Sequence, residues 1–106
     1  MKKGSRPRTR RRERERELVK LVREREELAR ALPGGAPDHP LVVGSAAVVE
    51  PSARSTPCHQ CGGELAVDEH AAETHAGELL RVVRATCRRC QARRALWFRL
   101  APRLPH

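Results

Sequence analysis

Apolar residues follow a helical period in the first third of the chain and a two-residue period in the last third. Leu18, Leu21, Val22, Leu28, Ala29 and Leu32 fall within an arc of roughly 120° when each residue turns the chain by about 100°. That stripe predicts a basic amphipathic helix over residues 12–32, supported by the i,i+4 charge pairs Arg23–Glu27 and Glu26–Arg30. Pro33-Gly34-Gly35 stops it. Arg10, Arg11 and Arg12 sit at the positive end of the helix dipole, so the first turn is expected to fray, and residues 1–11, with Gly4 and Pro7, read as a disordered basic tail. Arg25 interrupts the stripe; its stem can pack while its head reaches water, or it can tune helix pairing.

Residues 33–56 carry Pro33, Pro37, Pro40 and Pro51 and read as a linker. Within it, Leu41-Val42-Val43 and Ala47-Val48-Val49 are candidates for a short extended segment that joins a sheet edge. Alternation begins at Glu64. Leu65, Val67 and Glu69 are expected on one side of a first strand and Ala66, Asp68 and His70 on the other, with a return through Ala71–Gly77 as a loop or single helical turn. A second strand is expected from Leu79 to Thr86 and a third from Ala92 to Leu100, before a tail at 102–106. In the third, Leu96, Phe98 and Leu100 share one face, and Arg93, Ala95, Trp97 and Arg99 the other.

The chemistry lies in four cysteines, the only ones in the chain: Cys58 and Cys61, then Cys87 and Cys90. A two-residue spacing turns both thiolates of a pair toward one point, and two such pairs close a tetrahedral shell around one borderline or soft metal ion, zinc above all. Four thiolates leave no position for water or substrate, so the expected role is structural and the chain is not expected to be an enzyme. Composition agrees. With one Trp, one Phe and no Tyr among 106 residues, an ordinary core is hard to build, and a metal staple answers that deficit.

Charge is uneven. The formal net charge is +9, divided as +7 over residues 1–32, −1 over 33–57, −3 over 58–86 and +6 over 87–106. Basic ends suit phosphate, although 19 arginines against 3 lysines is also what a GC-rich genome produces. No apolar stretch follows Lys2 and Lys3 as in a secretory signal, and the run Leu41–Val49 is too short to span a bilayer. The expected compartment is the cytoplasm, where such cysteines are ligands rather than disulfides.

The stretch Cys58-His59-Gln60-Cys61-Gly62-Gly63 through Cys87-Arg88-Arg89-Cys90, followed by Ala95-Leu96-Trp97-Phe98-Arg99-Leu100, resembles the zinc-ribbon family. The resemblance covers residues 57–101, under half the chain. It implies two knuckles capping a three-stranded antiparallel sheet, with Cys58, Cys61, Cys87 and Cys90 holding one structural zinc. The expected fold is therefore a small metal-stapled α+β unit: an N-terminal amphipathic helix plus a three-stranded antiparallel zinc ribbon. The departure from the family pattern is Gln91, which stands where the first knuckle has Gly62.

Other readings of the cysteines fit less well. A thioredoxin-type site needs one pair in a βαβ setting. A rubredoxin-like iron site shares the ligands but has an aromatic-rich core. Pro57-Cys58-His59-Gln60-Cys61 matches half of a zinc-deaminase signature whose H-x-E half is missing. His59, His70 and His75 are expected to face solvent, the last two from a loop.

Two functions remain open. One is nucleic-acid binding, as ribbons do in transcription and RNA-associated assemblies, with Arg88, Arg89, Arg93, Arg94 and Arg99 as phosphate contacts and Trp97 either stacking on a base or covering the sheet. The other is a protein-interaction or self-assembly module, in which Leu18, Leu21, Val22, Leu28, Ala29 and Leu32 pair the helix with itself, with a partner, or back onto the ribbon. Neither involves a membrane or a small-molecule substrate.

Overall fold

A computed structural model of the chain describes residues 7–102. Helix α1 spans Pro7–Ala31, longer at its start than the apolar stripe indicates. Proline at a first helical position has its φ preset, and the N–H it lacks would have had no partner there, so the helix continues back through the arginines. The expected tail at 1–11 is thus helical from Pro7; its residues 1–6 lie outside the described residues. The ion pairs of α1 include Arg11–Glu15 at 3.6 Å and Lys20–Glu24 at 4.0 Å.

Residues 33–56 are folded, not a linker. The His39 ring donates to the carbonyl of Arg30 near the end of α1, and Gly34 N–H donates to His39 O at 2.8 Å. Strand β1, Leu41–Val43, follows as the sequence suggests. Ala46–Val48 then forms one 3-10 turn that leads into helix α2, Val49–Ser55, where an extended segment was the alternative. Pro51 sits in the first turn of α2, where its missing N–H costs nothing.

Strands β2 (Leu65–His75), β3 (Glu78–Cys87) and β4 (Arg93–Leu100) form an antiparallel meander, and β1 pairs in parallel with β4. The sheet therefore has four strands in mixed order β1-β4-β3-β2, not three antiparallel ones. The reason is the outer edge of β4. Its donors would face water in a three-stranded sheet; here Trp97 N–H reaches Gly34 O at 2.7 Å and Ala101 N–H reaches Val43 O at 2.8 Å.

The expected return through Ala71–Gly77 is instead a continuation of β2, closed by a two-residue turn of Ala76 and Gly77 with φ of 51° and 79°. Positive φ at both positions matches the right-handed strand twist. A bulge between Val67 and Glu69 then exchanges the faces of the residues beyond it. Glu69 pairs with Arg84 and His70 with Val83, opposite to simple alternation.

The main core lies between α2 and one sheet face, where Val49 and Ala53 meet Leu65, Val83, Ala85, Leu96 and Phe98, with Cys58 and Cys87 at its end. On the other face Leu80, Val82 and Trp97 form a smaller cluster. His75 meets the Trp97 ring edge-on at 4.5 Å between centroids, and Arg84 lies 6.0 Å from it. His70 and His75 are strand residues with partners, not free loop histidines: His70 Nδ1 lies 3.1 Å from Glu50 of α2. Helix α1 projects from this body, giving extents of 79 × 27 × 19 Å and a radius of gyration of 18.8 Å, against about 13 Å for a compact chain of this size.

Candidate metal centre

Two turns of the same backbone design carry the four cysteines. In the first, Cys58 N–H donates to Gly63 O at 2.9 Å and Gly62 N–H to Cys58 O at 2.8 Å. In the second, Cys87 N–H donates to Ala92 O at 2.9 Å and Gln91 N–H to Cys87 O at 3.0 Å. Each turn needs a left-handed residue after its second cysteine. Gly62 supplies it at φ 76° without strain, whereas Gln91 is held at φ 66°, as its place in the pattern implies.

Backbone N–H groups aim at the sulfurs: Gln60 at Cys58 and Gly63 at Cys61, both at 3.4 Å, and Arg89 at Cys87 at 3.3 Å. Gly63 also owes its identity to closeness, since a Cβ there would stand 2.9 Å from Cys87 Sγ and 3.2 Å from Cys61 Sγ.

The four Sγ atoms lie within 4.8 Å of one another, and all four thiols are free. Across the pairs, Cys58 and Cys90 sulfurs are 3.6 Å apart and Cys61 and Cys87 sulfurs 3.5 Å. A tetrahedron with ~2.3 Å metal–sulfur bonds has edges of about 3.8 Å, so these two edges are slightly short of a four-coordinate metal shell and the whole set lies within reach of one. The donor set therefore fits one metal ion, with no ligand position left over.

The thiols of the second pair differ in acidity. The Cys90 N–H, then those of Arg89 and the neighbouring thiols, pull Cys87 down to about 6 against the effect of burial. The Ala92 N–H favours the Cys90 thiolate, but burial and the other three thiols outweigh it and push Cys90 up to about 12. A bound cation would remove this conflict by drawing all four into the thiolate form.

Residues between the ligands differ in their surroundings. His59 does not face solvent: its side chain is 5% exposed, with Nε2 donating to Glu26 of α1 at 2.5 Å. Gln60 donates to Val22 O at 3.0 Å and to Glu26 at 3.1 Å, and its carbonyl accepts from Arg25 Nη1 at 2.7 Å. Arg25 thus interrupts the stripe in order to hold the first knuckle. Burial alone would raise the Glu26 carboxyl; the hydrogen bonds from His59 and Gln60 win and hold it below its ordinary value. Nothing in the local sequence marks Glu26, His59 and Gln60 as an interface, because 33 to 38 residues separate the partners in these bonds.

The other expected site residues divide. Arg88, Arg89 and Arg93 are exposed, with no side-chain ion pair among the described residues. Arg94 turns inward, its Nη1 donating to Pro57 O at 2.9 Å beside the first ligand. Arg99 forms a two-pronged pair with Glu78. Trp97 is 7% exposed and presents little ring for a base to cover. On the helix only Ala29 is buried; Leu18 and Leu28 are each 61% exposed, and Leu21, Val22 and Leu32 are exposed as well. The end of the stripe, Leu28, Ala29 and Leu32, borders Pro57, Cys58 and His59 while its earlier residues stay exposed, and polar contacts tether α1 to the first knuckle.

No helix among the described residues is long and apolar enough to cross a membrane. The chain matches no family model, no curated protein and no solved structure, so its likeness to a zinc ribbon rests on cysteine spacing and the paired turns alone.

Proposed function

We propose that the chain is a non-catalytic zinc-ribbon module that binds nucleic acid in the cytoplasm. Zinc is the metal that four thiolates at tetrahedral spacing suit best, and its role is to close the two turns over a sheet with a thin core. The observation that carries the binding reading is the outward second knuckle: Arg88 and Arg89 between the ligands, and Arg93 at the start of β4, all exposed and uncompensated. A ring of unpaired cations on a rigid turn is suited to phosphate. Arg94 and Arg99 support the fold instead, and Trp97 serves the sheet.

Titration of zinc-loaded protein with labelled single- and double-stranded oligonucleotides over a range of salt tests it. Binding should weaken steeply with salt. Arg88→Gln with Arg89→Gln should lower both the affinity and the salt slope, the slope by about one for each phosphate no longer neutralised. No binding at low salt would overturn the proposal.

A second reading is favoured by the exposed stripe of Leu18, Val19, Leu21 and Val22 on the projecting part of α1. It makes α1 a docking helix for a partner or a second copy. Sedimentation of the full chain against a Leu18→Gln, Val22→Gln variant tests self-association; identical monomers would exclude it.

A further inference from the structure

Where the C-terminal part of α1 passes the first knuckle, it leaves a half-open cleft of about 300 Å³. Three arginines border it, Arg30 from α1 and Arg93 and Arg94 from β4, against one carboxylate, Glu26. Glu26 is already engaged by His59 and Gln60, so little of its charge is left for the arginines. Two buried polar atoms of residues bordering the cleft have no partner: Nδ1 of His59, whose ring is 5% exposed, and Nε of Arg94. Trp97 and Ala95 supply an apolar wall beside the cations.

We propose that this cleft is a phosphate subsite, in which Arg30 and Arg93 hold the phosphate of a single nucleotide, the inward Arg94 adds its charge, and Trp97 and Ala95 form the wall beside it. A cluster of guanidinium groups with little opposing charge suits an acceptor with several oxygens, and phosphate provides them with the charge to match. The cleft volume is at the lower end of ligand sites, enough for one nucleotide unit and too small for a duplex. The phosphate comes either from a free mononucleotide or from a strand end. The second source rests on the nucleic-acid reading above; the first does not.

Trp97 is the only tryptophan in the chain and borders the cleft, so it reports occupancy directly. Zinc-loaded full-length protein is titrated with inorganic phosphate, a mononucleotide and a 5′-phosphorylated single strand, following Trp97 fluorescence and its indole N–H signal by NMR. Saturable shifts with phosphate and mononucleotide are expected. They should weaken roughly tenfold or more in the Arg30→Gln, Arg93→Gln variant, the scale of one charge-assisted hydrogen bond, and remain in Arg88→Gln, Arg89→Gln. Neither variant removes a side chain that holds the fold, and an unchanged melting curve checks that. Phosphate shifts without any oligonucleotide binding would keep the subsite and remove the nucleic-acid reading. Oligonucleotide binding that leaves Trp97 undisturbed, with no response to phosphate, would overturn the subsite and keep the knuckle interface. Silence from all three probes would overturn both.

Discussion

In the first knuckle the residues between the ligands, His59 and Gln60, are bonded to α1; in the second, Arg88 and Arg89 are exposed to water. The backbone hydrogen bonds of the two turns correspond one for one, so the metal needs nothing different from either. The difference lies in what each turn does beyond the metal. One anchors a helix through a carboxylate, an amide and a guanidinium; the other presents cations. The residues that support the turns differ as well: a Cβ at Gly63 would meet two ligand sulfurs, whereas the corresponding place in the second knuckle holds Ala92.

The largest effect should come from removing what both knuckles share. Chelation, or Cys58→Ser or Cys87→Ser, should abolish the sheet, because metal binding on the order of 10–16 kcal/mol in comparable small modules is effectively their folding free energy. Far-UV circular dichroism and NMR dispersion should collapse together. A sheet that survives chelation would show that the α2 core suffices.

Exchanging residues between the knuckles sharpens the contrast. Gly63→Ala should destabilise by about 1–3 kcal/mol, since its Cβ meets two ligand sulfurs that the metal keeps from moving. Ala92→Gly at the corresponding place should cost well under half as much. In the left-handed positions, Gln91→Gly should stabilise by about 1 kcal/mol and Gly62→Gln should destabilise by a similar amount. Chemical denaturation with zinc in fixed excess measures all four. Equal costs at the two sites would end the claim that the turns differ in crowding.

Smaller still is the anchoring of α1. Its folded carboxyl, Glu26, is held below the ordinary value of 4.5. A depressed carboxyl contributes stability that is fully present above its unfolded value and lost as pH falls through its folded value. Protection of amides in α1 near Val22–Ala29 should therefore fade as pH drops below about 4.5, and Glu26→Gln should reproduce the loss at neutral pH, by no more than about 1 kcal/mol for a half-exposed pair. Hydrogen exchange read residue by residue checks this; uniform protection across that pH range would show that the helix is held otherwise. At the bottom of the scale, Arg88→Gln and Arg89→Gln should shift stability by less than about 0.5 kcal/mol, since neither side chain has a partner among the described residues to lose.

Much of the fold is legible in the sequence because the signals are local. The apolar period draws most of α1, alternation draws β3 and β4 to within a residue, and Pro102 marks the end of the sheet. The misreadings have local causes too. Pro51 looks the same in a linker and in the first turn of a helix, and Ala76 gives no sign that it will take a left-handed turn, so α2 and the full length of β2 stay hidden at that level.

The cysteine spacing by itself marked the four sulfurs as one candidate metal shell, since a two-residue gap lets both thiolates of a pair turn toward one point; the pairing of Leu65 with Cys87 brings the two pairs together. Which way each knuckle faces was decided by tertiary structure alone. The bulge after Val67 changes sides for every residue beyond it, and the pairing of β1 with β4 closes an edge that only exists once the strands are assembled. The bonds of Glu26 with His59 and Gln60 join positions more than thirty residues apart, and their energy depends on distances that no run of neighbouring residues encodes.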